Sequence, residues 1–216
     1  MFKVAITTYN RPEVFKECYD NVLKYVPKED IIIVGDNNPD YIECDYAFSE
    51  RVGIPRVKNK CIELFMQTDS EYLFLLDDDT FPIHYEAFSR YIESNLNHAC
   101  YTFYNNFRKH DGYRSFRLVN GCMMFFTRKC FETVGGFDVR FGIAKYEHVN
   151  MSGRIFNAGL TPARYIDIYS EGLWHCMDED KGHVRSLTVK ENEQLLKSGY
   201  KLFKEKFGSS EYCDYI

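Results

Sequence analysis

Three consecutive aspartates, Asp77-Asp78-Asp79, stand directly after the apolar run Tyr72–Leu76. In extended backbone, residues i and i+2 point to one side, so Asp77 and Asp79 can converge on a single ligand. Two carboxylates about 4 Å apart repel by about 4 kcal/mol at an effective dielectric near 20. The end of a buried strand is a poor place to carry that repulsion without a cation. Oxygen donors suit Mg²⁺ or Mn²⁺, and Mg²⁺ commonly bridges one or two carboxylates to substrate phosphates. The competing reading is an acidic turn in solvent.

A second group lies earlier in the chain. Asp36 ends the apolar run Ile31–Val34, where a carboxylate can accept a bond from a uracil ring N–H. Thr8, Tyr9 and Arg11 follow the first apolar run, on a loop that adjoins it in a parallel sheet. Taken alone, Thr7–Arg11 is also a helix cap and Asp36 a turn residue. Neither GxGxxG nor GxxxxGK[ST] occurs, which disfavours dinucleotide binding and the P-loop.

The elements that would hold these groups alternate. Phe2–Ile6 reads as a strand, and Val14–Val26 carries apolar residues at helical spacing, with Pro12 suited to a first turn. Ile31–Val34 is a buried strand broken by Gly35-Asp36-Asn37-Asn38-Pro39. Pro55–Met66 reads as a helix and Tyr72–Leu76 as another buried strand. This order predicts an α/β fold: a mostly parallel sheet covered by helices on both faces, with ligands at the strands' carboxyl ends. Further on, helices are expected over Glu86–Leu96, Glu147–Phe156 and Thr188–Phe207. Strands are expected over Ala99–Tyr104, Leu118–Thr127 and Pro162–Tyr169, with a turn at Gly135-Gly136. No repeat or linker divides the 216 residues, so one domain is expected, with parts at 1–104, 105–187 and 188–216.

A formal charge of −5 and a pI near 5.7 argue against nucleic acid as a partner. The aromatic and basic stretch Tyr101–Arg117 reads as a loop or an acceptor surface instead. Eight cysteines are scattered without a CxxC or a zinc spacing, which suggests free thiols and a reducing, cytoplasmic setting. No signal peptide and no transmembrane segment are expected.

In order and spacing, VAITTYNRPEVF, IIIVGDNN, GIPRVKNKCI and EYLFLLDDDTFP resemble the N-terminal half of family 2 glycosyltransferases. NGCMMFFTRKCFETVGGFD is similar to that family's acceptor-side strand, helix and Gly-Gly-Phe-Asp turn. The likeness covers roughly residues 2–175 and implies a GT-A (Rossmann-like) fold. It implies metal-dependent transfer of a sugar from a nucleotide diphosphate donor, with uridine as the base, to a hydroxyl of a glycan or glycoprotein. Thr8, Tyr9, Arg11 and Asp36 would then hold the nucleoside, and Lys58 and Asn59 would lie near the ribose and phosphates. Asp77, with Asp78, would face the nucleotide, and Asp79 would be the principal ligand of Mn²⁺ or Mg²⁺, shared with Asp77. His175 resembles a C-terminal metal ligand. Lys181, His183 and Arg185 would belong to a loop closing over the pyrophosphate.

One segment departs from the family's pattern. Where the family commonly has Glu-Asp, this chain has Glu147-His148, so His148 occupies the position of the base. Histidine, with an unperturbed pKa near 6.5, can deprotonate a hydroxyl, and Glu147 is the other candidate. Inversion is the stereochemistry adopted. A nucleotidyltransferase acting on a sugar phosphate and a non-catalytic GT-A-like module are the alternatives.

Overall fold

Burial on both faces decides which segments become the central strands. In the computed structural model, which describes residues 1–37, 39–180 and 187–216, chain order runs β1 (Phe2–Thr8), α1 (Pro12–Val22), β2 (Ile31–Gly35), β3 (Tyr46–Ala47), α2 (Ile54–Met66), β4 (Tyr72–Asp77) and β5 (Thr80–Pro82). It continues with α3 (Ser89–Glu93), β6 (His98–Cys100), β7 (Phe107–Lys109), β8 (Arg114–Phe116), β9 (Met123–Thr127) and α4 (Arg128–Val134). The last elements are α5 (Glu147–Asn157), β10 (Ile166–Asp167), β11 (Trp174–Cys176) and α6 (Val189–Lys206).

The main sheet has six strands in the order β3-β2-β1-β4-β9-β6. The β3-β2-β1-β4 part is parallel, while β9 runs antiparallel to both β4 and β6. Alternate residues serve opposite cores: Val4, Ile6, Phe74 and Leu76 enter one apolar cluster, Ala5, Leu73 and Leu75 the other. Both faces being covered, these strands read as unbroken apolar runs. A three-stranded antiparallel sheet, β10-β8-β7, and a ribbon pairing β11 with β5 complete the strands.

Several expected elements are shorter. The helix over Glu86–Leu96 contracts to Ser89–Glu93, because His84 accepts backbone N–H groups from Glu86 and Ala87 and holds a turn there. Only Ile166–Asp167 of the strand expected over Pro162–Tyr169 pairs, and only Met123–Thr127 of Leu118–Thr127. Of the expected strand Ala99–Tyr104, only Ala99 and Cys100 belong to a strand, which begins one residue earlier at His98.

The Gly135-Gly136 turn is held from two sides. Asn59 of α2 donates to the Phe137 carbonyl at 3.0 Å and accepts the Phe137 N–H at 2.7 Å. Buried Arg154 of α5 donates to the carbonyls of Val134, at 2.7 Å, and Gly136. Asn59→Leu should therefore strand two buried backbone groups and lower stability by about 2–5 kcal/mol. Denaturant unfolding measures this, and a loss below 1 kcal/mol would refute the clamp.

Candidate functional site

Register assembles the site's floor. Thr7 lies level with Asp77 across β1 and β4, and Thr8 level with Gly35 across β1 and β2. The loop after β1, Asp36 and the aspartate turn therefore share one carboxyl edge, where such sheets bind ligands.

The three aspartates are neutralised from two directions. Thr8 Oγ1 donates to Asp78 at 2.8 Å, and the Arg11 guanidinium pairs with Asp78 and, at 3.0 Å, with Asp79 Oδ2. Burial pushes Asp78 up to about 7 against the pull of Arg11. Burial also works against charge on Arg11, but Asp78 and Asp79 outweigh it and raise the guanidinium's pKa. Asp77 Oδ1 pairs with Lys58 Nζ at 2.9 Å, and that ammonium also donates to the Gly121 carbonyl at 2.8 Å. Burial raises the Asp77 pKa and Lys58 opposes it, while the charge on Asp79 adds to the rise. Lys58 is itself buried, yet Asp77 and Glu147 keep its pKa above the ordinary value.

The oxygen donors at this turn suit a hard divalent cation that completes its shell with phosphate oxygens. Among the described residues, no group of three His, Cys, Asp or Glu side chains comes together to hold a metal. His175 lies on β11, paired in register with Phe81 just beyond the aspartates, and its Nε2 meets Asp180 Oδ2 at 3.0 Å. Lys181, His183 and Arg185 lie outside the described residues.

Asp36 has backbone work: its two oxygens accept the N–H groups of Val52 at 2.6 Å and Gly53 at 3.1 Å. Each carboxylate oxygen keeps a further lone pair. Thr8, Tyr9, Arg11, Asp36, Asp77 and Asp78 nevertheless line one small cleft of about 80 Å³. Asn59 is absent from it, its amide being committed to Phe137. Two neighbours unforeseen from the sequence are Tyr41, 2.7 Å from Thr8 Oγ1, and Arg51, whose guanidinium lies 4.3 Å from the Tyr9 ring centre.

Asp77 and Ile54 are shared with a second, larger cavity of about 480 Å³. On its wall, Glu147 and His148 open α5. The backbone reaches them through two left-handed residues, Lys145 (φ 83°) and Tyr146 (φ 67°). The Tyr146 ring stacks on Phe203 of α6 at 5.4 Å. A Cβ on Gly199 of α6 would come within 2.8 Å of the Lys145 carbonyl oxygen, so only glycine lets that helix close on the turn. Ser152 ties α5 to the sheet through His98, whose imidazole also bonds the Phe125 carbonyl, each at 2.8 Å. Burial brings His98 down to about 4, so it is neutral, donating to the carbonyl and accepting from Ser152.

His148 Nδ1 stands 3.1 Å from Glu147 Oε1. A carboxylate only accepts, so Nδ1 carries the proton and Nε2 of the neutral ring is the basic nitrogen. Burial works against the Glu147 charge, but His148 and Lys58 more than offset it and hold the carboxyl at about 2. A Cβ at Gly121 would lie 2.6 Å from His148 Cγ, so the ring packs directly on that backbone. Sequence reasoning missed Asn120, which lines this cavity; the Asn120-Gly121 dipeptide is a turn signal inside what reads as a strand.

No sequence-family description matches the chain, and no curated protein sequence does. Solved structures do match in three dimensions. A mannosyltransferase from Pyrobaculum calidifontis, in complex with GDP-Man and Mn²⁺, aligns at a TM-score of 0.57 and 15% identity, over 74% of this chain and 53% of its own. GalNAc-T7 with UDP, GalNAc and Mn²⁺ gives 0.60 at 12% identity, over 78% and 42%. A Drosophila β-1,4-galactosyltransferase 7 variant with manganese, UDP-Gal and xylobiose gives 0.52 at 14%, over 90% and 79%. The chain thus spans about half the length of the first two. The fold is that of GT-A glycosyltransferases: a mostly parallel six-stranded sheet between helices. No helix among the described residues is long and apolar enough to cross a membrane.

The Arg11 pairing makes a pH-dependent prediction. Asp78 has a native pKa above its unfolded value, so its contribution to stability is present below that value and fades as pH rises through about 7. Arg11 limits the loss. Arg11→Gln should cost about 3 kcal/mol at pH 8, where a buried carboxylate is left unpaired, and much less at pH 5. Chemical denaturation at both pH values checks it; an equal cost at each would contradict the pairing.

Proposed function

We propose that the protein is a metal-dependent glycosyltransferase that moves a sugar from a nucleotide diphosphate donor to an acceptor hydroxyl of a glycan or glycoprotein, with inversion. One observation carries the reading: the aspartate turn joins a small cleft at the sheet's carboxyl edge to a larger cavity bearing an oriented histidine–carboxylate pair. The likeness to nucleotide-sugar enzymes of the same fold supports it.

On this reading Thr8, Tyr9, Arg11 and Asp36 face the nucleoside, and Asp36 keeps lone pairs for a uracil N–H, which favours a UDP-linked donor. Residues 1–104 supply most of the donor side and 105–187 most of the acceptor side. Asp79, with Asp77, would hold Mn²⁺ or Mg²⁺, which when bound supplies positive charge opposite the departing diphosphate. Arg11, already at the turn, adds a second positive charge there. His148 Nε2 takes the proton from the attacking hydroxyl, while Glu147, ionised throughout the working range, fixes the ring's tautomer and steadies the imidazolium that forms. Glu147 Oε1 is engaged by that ring, so the role of base is assigned to His148. The eight free thiols support a reducing, cytoplasmic setting.

Two measurements test this. Release of nucleoside diphosphate from a UDP-sugar should stop in excess chelator and return with Mn²⁺; Asp79→Asn should lose nearly all of it while staying folded. Full turnover in chelator, or release of pyrophosphate instead, would overturn the reading.

His148→Ala should lower kcat by roughly 10²–10⁴ with little change in donor binding. Glu147→Gln should cost less, since the ring nitrogen survives. If neither substitution changes kcat tenfold, no protein base operates and a retaining mechanism takes its place.

A further inference from the structure

The two aspartates assigned to the metal are not equally ready for it. The Asp77 side chain is 26% exposed and lines both the cleft and the larger cavity. Its contacts with Lys58 and Thr7, among the described residues, both fall on Oδ1, which leaves Oδ2 for a ligand. Asp79 is 7% exposed and lines neither space. Its Oδ2 accepts from Arg11 Nη1 at 3.0 Å, and its Oδ1 from the Thr80 hydroxyl at 3.4 Å. A divalent cation arriving alone therefore meets one ready carboxylate, and a guanidinium charge beside the second.

The two compensating cations differ in how firmly they are held. Lys58 rises from the middle of α2, is 1% exposed, and gives a further N–H to the Gly121 carbonyl. Arg11 comes from the loop before α1, and its guanidinium is divided, Nη2 to Asp78 and Nη1 to Asp79. One arm can open while the other holds, because Asp78 is also gripped by Thr8. Arg11 lines the small cleft, whereas Asp79 does not. A guanidinium binds phosphate oxygens in the same forked way as it binds carboxylates, so a diphosphate entering the cleft offers that arm an equivalent partner.

We propose that Arg11 is an exchangeable counter-ion. It holds Asp79 until a nucleoside diphosphate enters the cleft, then moves its Nη1 arm to a phosphate oxygen, so that Asp79 becomes available to the divalent cation only together with the diphosphate. This rests on the glycosyltransferase reading and gives Arg11 a positioning role that couples the two ligands. A counter-ion fixed permanently on both aspartates would instead help to shape the site, and its loss would leave metal binding unchanged or weaker.

The test is Mn²⁺ binding to the full chain at pH 6.5, with and without UDP, read from the electron paramagnetic resonance of the free ion. Binding that survives Asp79→Asn is subtracted as adventitious. Arg11→Gln should tighten Mn²⁺ binding without UDP by roughly tenfold or more, because a positive charge leaves the neighbourhood of the ion. The gain that UDP brings should shrink, since Asp79 no longer waits for phosphate. Arg11→Gln leaves the buried Asp78 unpaired, so the double variant Arg11→Gln/Asp78→Asn is measured beside it. There the pair is removed together, net charge is unchanged, and Thr8 can still donate to the amide oxygen. The double variant should keep a tightening of roughly threefold or more. Unchanged or weaker Mn²⁺ binding in the folded double variant would overturn the proposal. The unaltered protein reports separately on the underlying reading. If it binds Mn²⁺ with UDP through Asp79 but the double variant shows no tightening, only this inference falls; if no Asp79-dependent binding occurs with UDP, the reading falls with it.

Discussion

Negative charge gathered at the end of a buried strand is the constraint that most of this structure answers. β4 is apolar along its length and then delivers three carboxylates in succession. Each is compensated by a cation from elsewhere in the chain: Arg11 from the loop after β1, Lys58 from the middle of α2. These pairs fix where the first loop and α2 sit relative to β4. The carboxylates are thereby stable before any ligand arrives, and the compensation lies within reach of anything anionic that binds beside them.

The two ends of the cleft are joined by backbone as well as by charge. Asp36 gathers the N–H groups of Val52 and Gly53, and the next residue, Ile54, donates to the Ile143 carbonyl at 2.8 Å. Ile143 leads within a few residues to the left-handed pair and the histidine it presents. Lys58 makes a second link, since it touches Asp77 and the Gly121 carbonyl under the His148 ring. A disturbance at the Asp36 end therefore has two short routes to the other end.

The N-terminal half was legible in the sequence for a physical reason. β1, β2 and β4 are buried on both faces, so each appears as an unbroken apolar run, and the polar residues at their ends mark the sheet's carboxyl edge. The second half was less so. β7, β8, β10 and β11 are two or three residues long, too short to show a period, and their pairing is set by distant segments. The candidate-site residues divided likewise. The aspartates and Glu147-His148 were identifiable by type and position. The backbone duties of Asp36 and Asn59 were not, because their partners, Val52, Gly53 and Phe137, are ordinary residues whose proximity exists only in the fold. The unequal sharing of Arg11 and Lys58 among three adjacent carboxylates was equally invisible.

The left-handed pair Lys145-Tyr146 has a consequence in time. Two non-glycine residues in this conformation cost of order 1–3 kcal/mol each and persist only where surrounding structure holds them. Here the holding surface is α6, through Gly199 and Phe203, and α6 is encoded some forty residues further along. During synthesis at about 5–20 residues per second, the main sheet with its aspartate turn is complete before α6 exists. Until α6 docks, residues 145–146 lack the surface that closes on their left-handed turn, and His148 over Gly121 is held only through the ties of α5 to the sheet. A nascent chain would thus pass through an interval in which its acidic edge is formed while its histidine–carboxylate pair is not yet set.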